Sequence, residues 1–234
     1  MQLYYYTPLL YGLMAISHRR LKISQFANLN DPADHVGLFV IRSEENEHLK
    51  LQRDIFNEQG GIICMSADWQ NTMMWGHYAD NHRGVCLVFD CDEDLWNKVD
   101  YRKDRRPSLR EFGLERLSEM KEEHYRKLAL MKSAEWSYEK EYRRFEPFDH
   151  YDFVNDIHFC PFDEYMQLKG ILFGMRCGIT LKQIRHVLNC DERIRAAYVR
   201  PSPIAYKMTL DGDRRKNING LTRRFRKDED GTLY

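Results

Sequence analysis

The chain has no excess of charge of either sign: 36 lysines and arginines meet 36 aspartates and glutamates over 234 residues. Net charge therefore gives no argument for nucleic acid, a membrane surface or an acidic partner. There is no apolar run of membrane-spanning length and no basic-then-apolar leader, so a cytoplasmic protein with no membrane partner is expected. Six cysteines occur, but none form a C-x-x-C pair and their spacing is irregular. They read as reduced, mostly core thiols and not as a disulfide framework. The phosphate loop G-x-x-x-x-G-K-[ST] is missing, as are G-x-G-x-x-G, H-E-x-x-H and G-x-S-x-G. With them go the usual sequence signs of P-loop nucleotide binding, Rossmann dinucleotide binding, zinc proteolysis and serine hydrolysis. What is there is an aromatic content of 13% with tyrosine foremost, and 43% apolar residues. That composition fits a packed domain with polar handles better than disorder.

The order of elements predicts an α+β fold: strands and helices are mixed without a βαβ rhythm, over a mixed, split or strongly twisted sheet. Strands are expected at Leu3–Thr7, Leu21–Ser24, Ile62–Ser66, Gly84–Asp90, Gly170–Gly174 and Tyr206–Leu210. Helices are expected at Leu9–His18, over 44–58, from Thr72 to about Ala79 behind an Asn71 cap, through Pro107–Ser133, and at Thr180–Leu188. Gly60-Gly61 reads as a break before a buried strand. Residues 1–210 form one domain in this reading. From Asp211 onward the sequence is basic and then acidic, which predicts a mobile charged tail over 211–234. Its basic clusters leave nucleic acid as a conceivable partner that net charge does not indicate.

The chemistry-bearing stretch is Trp136-Ser137-Tyr138-Glu139-Lys140-Glu141-Tyr142-Arg143-Arg144-Phe145. Read as one strand, it puts Glu139, Glu141 and Arg143 on one side. A strand on a core usually shows an apolar side. This is therefore either an edge strand laced with ion pairs or a strand whose charged side lines a pocket. Paired carboxylates raise each other's pKa unless a cation intervenes, and Arg143 is placed to be that cation. Such a pair can stabilise a cationic sugar transition state or deprotonate an acceptor.

A second stretch, Trp75-Gly76-His77-Tyr78, offers stacking and hydrogen-bonding groups for a pocket, or else a core helix. His77 and His82 are five residues apart and lie on different faces of a helix, so no metal site is expected there. Tyr4-Tyr5-Tyr6 is an aromatic strand, and Asn30-Asp31-Pro32 a turn able to reach over a ligand.

Taken together, these motifs resemble a bacterial family of unknown function, DUF2971. The resemblance runs through Tyr4-Tyr5-Tyr6, Leu29-Asn30-Asp31-Pro32, Cys64-Met65-Ser66, Met74-Trp75-Gly76-His77-Tyr78-Ala79, His82-Arg83-Gly84-Val85-Cys86, Trp136 to Arg143, and Phe173-Gly174. The layout is also similar to that of mono-ADP-ribosyltransferases, with Tyr5 or Tyr6, Ser66 and Glu139-Lys140-Glu141 in the places of the three motifs. Their first-strand His or Arg is missing here.

That likeness implies an enzyme using NAD or a related nucleotide as substrate, without a metal, in a toxin or phage-defence role. Glu141 would stabilise the ribose cation and Glu139 would orient or deprotonate an acceptor of unknown identity. Tyr5, Tyr6, Ser66, Trp75 and Tyr78 would hold the ligand, and His77 and Arg143 the carboxylates or phosphates. The alternative is a non-catalytic sensing or interaction module in which Glu139, Glu141, Arg143 and His77 form a structural polar network.

Overall fold

The computed structural model describes residues 1–31, 34, 43–103, 106–148, 152–154, 157–180, 183, 194–212, 225, 227–229 and 232–233. In chain order the strands are β1 (Gln2–Thr7), β2 (Arg20–Lys22), β3 (Gly60–Ser66), β4 (Val85–Cys91), β5 (Asn97–Lys98), β6 (Asp100–Arg102), β7 (Met131–Ser133), β8 (Glu141–Pro147), β9 (Asp152–Val154), β10 (Ile157–Pro161), β11 (Met166–Phe173), β12 (Arg195–Pro201) and β13 (Met208–Leu210). The helices are α1 (Leu9–His18), α2 (Ser43–Gln59), α3 (Thr72–His77) and α4 (Glu122–Leu128). The fold is mixed α and β, as expected, with a mixed and open sheet. The chain divides into two compact units: Met1–Leu21, Met65–Leu95 and Pro161–Tyr234 form the first, Lys22–Cys64 and Trp96–Cys160 the second.

In the first unit the strands run β13-β12-β11-β4-β1. The β11–β12 pair is parallel; the other pairs are antiparallel. β4 is central, with six of its seven residues buried, which its near-continuous apolar run Val85-Cys86-Leu87-Val88-Phe89 requires. A parallel pair needs a crossover. The helix expected at Thr180–Leu188 falls in that connection and lies largely outside the described residues.

α3 begins as its sequence predicts: the Asn71 side chain accepts from the N–H groups of Met73 and Met74. It is followed by three consecutive left-handed residues, Asp80, Asn81 and His82, with φ of 45°, 50° and 68°. Two of their N–H groups are bonded back to α3, Asn81 N–H on the Gly76 carbonyl at 3.2 Å and His82 N–H on that of Trp75 at 3.0 Å. Those bonds offset the steric cost of the conformation and turn the chain into β4.

Within 211–234, two described apolar side chains are enclosed. Phe225 and Leu233 are buried. A methyl on Gly170 would overlap the Phe225 ring, so a glycine in β11 makes room for it. The Gln2 side chain brackets Leu233, donating to its carbonyl at 2.8 Å and accepting from its N–H at 2.9 Å.

In the second unit β3 lies beside β8, which pairs on its other side with β5 in antiparallel register, Asn97 opposite Arg143. β6 and β7 form a parallel pair with Tyr101 opposite Lys132. β9 and β10 pair with each other in antiparallel register, His158 opposite Phe153. Gly60-Gly61 marks the break between α2 and β3, and both glycines already belong to the strand. A Cβ on Gly60 would come within 2.6 Å of the Glu146 carbonyl oxygen, and one on Gly61 within 2.5 Å of that of Ser24.

The long helix expected over Pro107–Ser133 resolves into 3-10 turns at Leu109–Phe112 and Leu117–Glu119, then α4, then β7. Gly113, at φ 71°, ends the first turn as a left-handed cap. The Glu119 carboxylate then takes the N–H groups of Glu115 and Arg116. The apolar residues of the stretch nevertheless share a core. Leu109, Phe112, Met120 and Met131 pack on a core of Leu49, Leu117 and Leu128. A second core joins Phe26, Ile62 and Ala129, with Cys64 and Phe145 against it.

Candidate functional site

The charged stretch is not one strand. Ala134–Glu139 is a 3-10 turn, Lys140 is its left-handed cap at φ 46°, and β8 starts only at Glu141. A left-handed residue reverses the local path of the chain. Across that turn both carboxylates still reach one lysine. Lys132 Nζ donates to Glu139 Oε2 at 2.6 Å and to Glu141 Oε2 at 3.3 Å, and lies 3.6 Å from Asp34 Oδ2. It also sits 4.9 Å from the centre of the Trp136 ring. Lys132, not Arg143, is the cation that stands between the two glutamates.

Glu141 and Arg143 do share a side of β8, as their spacing predicts. Arg143 is completely buried, and every one of its five N–H groups has an acceptor. Nε and Nη2 take the two oxygens of Glu141 at 2.9 and 3.0 Å. Nη1 and Nη2 take those of Asp34 at 3.0 and 2.6 Å. Nη1 also donates to the Ala129 carbonyl, at the C-terminal end of α4, at 2.6 Å. The guanidinium is thus forked against two carboxylates at once, the geometry at which arginine exceeds lysine. Asp34 is delivered by a turn in which its own N–H donates to the Asp31 carbonyl at 3.0 Å.

β8 is neither an edge nor the wall of an open cleft at this point. Its charged side faces inward and is paired there: Glu139 is 3% exposed, Glu141 6% and Arg143 0%. Burial pushes the Glu141 carboxyl up, but Arg143 and Lys132 outweigh it and hold the group at about 2. Burial disfavours charge on Lys132 too, yet Glu141, Glu139 and Asp34 together raise its pKa. The Cys64 thiol, which bonds to Glu141, is pushed up by burial and by that carboxylate, and remains protonated. The Tyr101 hydroxyl is pushed up to about 12, chiefly by burial, and accepts the Glu141 N–H at 2.9 Å. Three carboxylates face two cations, leaving one formal negative charge in excess among these five side chains.

The left-handed cap is open to a direct test. Lys140→Gly should keep the cap and raise stability by up to about 1 kcal/mol. Lys140→Val should lower it by roughly 1–2 kcal/mol, since a β-branched residue resists φ above zero. Urea unfolding of the two variants measures this, and a Lys140→Val protein as stable as wild type would remove the cap's role.

The other expected site residues belong to the first unit. Tyr6 and Ser66 are buried there and meet at one carbonyl: Tyr6 Oη donates to Asp68 O at 2.7 Å and Ser66 Oγ at 3.1 Å. Trp75 is fully buried, its Nε1 donating to the Trp69 carbonyl at 2.8 Å and its ring edge-on to Tyr6 at 5.3 Å. Tyr6, Ser66 and Trp75 are therefore brought together, around the Asp68–Trp69 turn. Tyr5 and Tyr78 are half-buried, and His77 is exposed at the end of α3. Among the described residues, no group of three or more His, Cys, Asp and Glu is arranged to hold a metal ion.

The residues missed by sequence were Lys132, Asp34, Cys64 and Tyr101. One signal was available for Lys132. Two acids with a single arginine leave a buried motif short of positive charge, and Lys132 is the cation next to the apolar run Leu128-Ala129-Leu130-Met131. No curated protein and no solved structure matches the chain. Residues 74–144, which carry Trp75, His77, Tyr78, Lys132, Glu139, Glu141 and Arg143, match the family DUF2971, a protein of unknown function.

Proposed function

We propose that the chain is a non-catalytic interaction module, and that the Asp34, Lys132, Glu139, Glu141 and Arg143 network is a folding element of its second unit. The observation that carries this reading is the saturation of Arg143 and Glu141. The guanidinium has no N–H left for a phosphate, and both Glu141 oxygens are held by cations. A carboxylate that stabilises a ribose cation has to touch it. For Glu141 to do so, it must first give up Arg143 and Lys132 in a site from which water is largely excluded, a step that leaves buried charges unpaired.

The transferase reading, with Glu141 and Glu139 acting on NAD and Tyr5, Tyr6, Ser66, Trp75, His77 and Tyr78 as ligand-holding groups, is separated from this one by a single set of measurements. At ~1 mM NAD a bound nucleotide stabilises whatever protein it binds. The module reading expects no shift in melting temperature and no nicotinamide release. It also expects Glu141→Gln to melt well below wild type, because the variant removes the one carboxylate that Arg143 and Lys132 both bond. An NAD-dependent shift, with nicotinamide release abolished in a Glu141→Gln protein that melts like wild type, is the result that sinks it.

A further inference from the structure

The most exposed large apolar side chains described lie far from the polar network in sequence. They stand at the tip of the hairpin joining β12 to β13. Ile204 is 93% exposed and Tyr206 106%, as open as in a free peptide. A single exposed apolar side chain is ordinary on a protein surface, but here two large ones stand bare two residues apart at one loop tip. The loop is ordered by its own bonds. Ser202 N–H donates to the Lys207 carbonyl at 2.8 Å, and Ile204 N–H to Ser202 Oγ at 3.3 Å. The base is fixed as well, with Met208 N–H on the Gln70 carbonyl at 2.7 Å and Gln70 Nε2 on the Met208 carbonyl at 3.1 Å.

The hairpin's own sequence carries charge of one sign. Between Ile194 and Leu210 the sequence holds Arg195, Arg200 and Lys207 and no carboxylate, although the whole chain is neutral. Arg200 and Lys207, which flank the tip, are both exposed.

We infer that this hairpin tip is a peripheral membrane contact that inserts Ile204 and Tyr206 at the interface of an anionic bilayer. Two separate prongs suit a deformable apolar medium. A rigid protein partner would instead select a broader apolar patch in which each side chain is partly supported by neighbours. Tyrosine belongs at the headgroup level, with its ring in the apolar layer and its hydroxyl in water. Lys207 and Arg200 carry their charge to the surface on long apolar stems and are drawn to anionic headgroups. Neither balanced net charge nor the lack of a spanning run bears on such a contact, since both are properties averaged over a long stretch. Among the described residues no helix is long and apolar enough to cross a membrane, and none is needed.

The test is co-sedimentation of the full chain with vesicles of phosphatidylcholine alone, or with about 30% phosphatidylserine, at ~0.1 M salt. The expected result is partition onto the anionic vesicles that exceeds the neutral ones at least about tenfold and falls at higher salt. The double variant Ile204→Asp with Tyr206→Asp should lose at least about tenfold in partition, and Arg200→Glu with Lys207→Glu should lose the preference for anionic lipid. All four side chains are exposed, so unchanged melting of the variants separates a lost contact from a lost fold. Equal partition on the two vesicle types overturns the proposal, as does binding that survives the aspartate pair. So does a dimer in size-exclusion chromatography that the aspartate pair dissolves, which would assign the tip to a second copy of the chain.

Discussion

Replacing Arg143 with methionine will lower the free energy of unfolding by about 3–5 kcal/mol, the cost of removing one partner from a buried ion network. The reason lies in what is left behind. Asp34 and Glu141 would face each other across the space of the guanidinium, and the Ala129 carbonyl would lose its donor. Lysine will not restore the loss. Its single ammonium cannot fork to two carboxylates while also reaching a carbonyl, and the five donors of Arg143 all have acceptors. Chemical denaturation of Arg143→Met and Arg143→Lys measures both statements. An Arg143→Lys protein within about 1 kcal/mol of wild type would show that the forked geometry contributes little beyond charge. Replacing Arg143, Glu141 and Asp34 together by apolar residues of similar volume should recover much of the single-variant loss, because buried ion networks are seldom better than good apolar packing.

Acid should unfold the protein partly through Glu141. The group sits at about 2 in the folded chain against an ordinary 4.5. Its folded pKa is depressed, so the unfolded chain binds the proton more tightly. The stability it contributes is present in full above the ordinary value and is lost as pH falls toward 2. The size is on the order of 3 kcal/mol, from 1.36 kcal/mol for each tenfold difference in proton affinity between the folded and unfolded chain. Other carboxylates titrate over the same window, so the informative quantity is a difference. Wild-type urea midpoints should fall more steeply between pH 4.5 and 2 than those of Glu141→Gln. Parallel curves would mean that Glu141 is not held by Arg143 and Lys132 in solution.

Both results concern residues whose partners are distant in the chain, and this is where sequence reading stopped. The Glu141–Arg143 contact was legible because i and i+2 share a side of a strand, and β8 does contain both. Asp34 was not, since it lies 109 residues from Arg143 and nothing local marks the pairing. Lys140 shows a different failure. A charged residue between two glutamates looks like ordinary strand alternation, and its positive φ is set by the turn before it. Gly113 is the reverse case: a glycine near the start of a helical stretch is a local sign of a break, and the structure places a left-handed cap there. Trp75, His77 and Tyr78 are adjacent in sequence yet differ in fate, one in the core, one exposed and one between. A six-residue helix turns its residues through more than one environment.

By itself the sequence determined what local chemistry can determine. The apolar run at Val85–Phe89 required a strand buried on both faces. Asn71 capped the helix it precedes, and the spacing of Leu109, Phe112, Leu117, Met120, Leu128 and Met131 placed them against a common core. Only the tertiary structure decided what the acids touch. Whether a carboxylate is a reagent or a fixed countercharge depends on what approaches it in space, through Coulomb and desolvation energies that vary with burial and distance and not with position along the chain. Lys132 and Arg143 approach Glu141 from β7 and β8, and Asp34 closes the other side of Arg143 from its turn. These contacts turn a motif that reads like an acid pair into a closed network of charges.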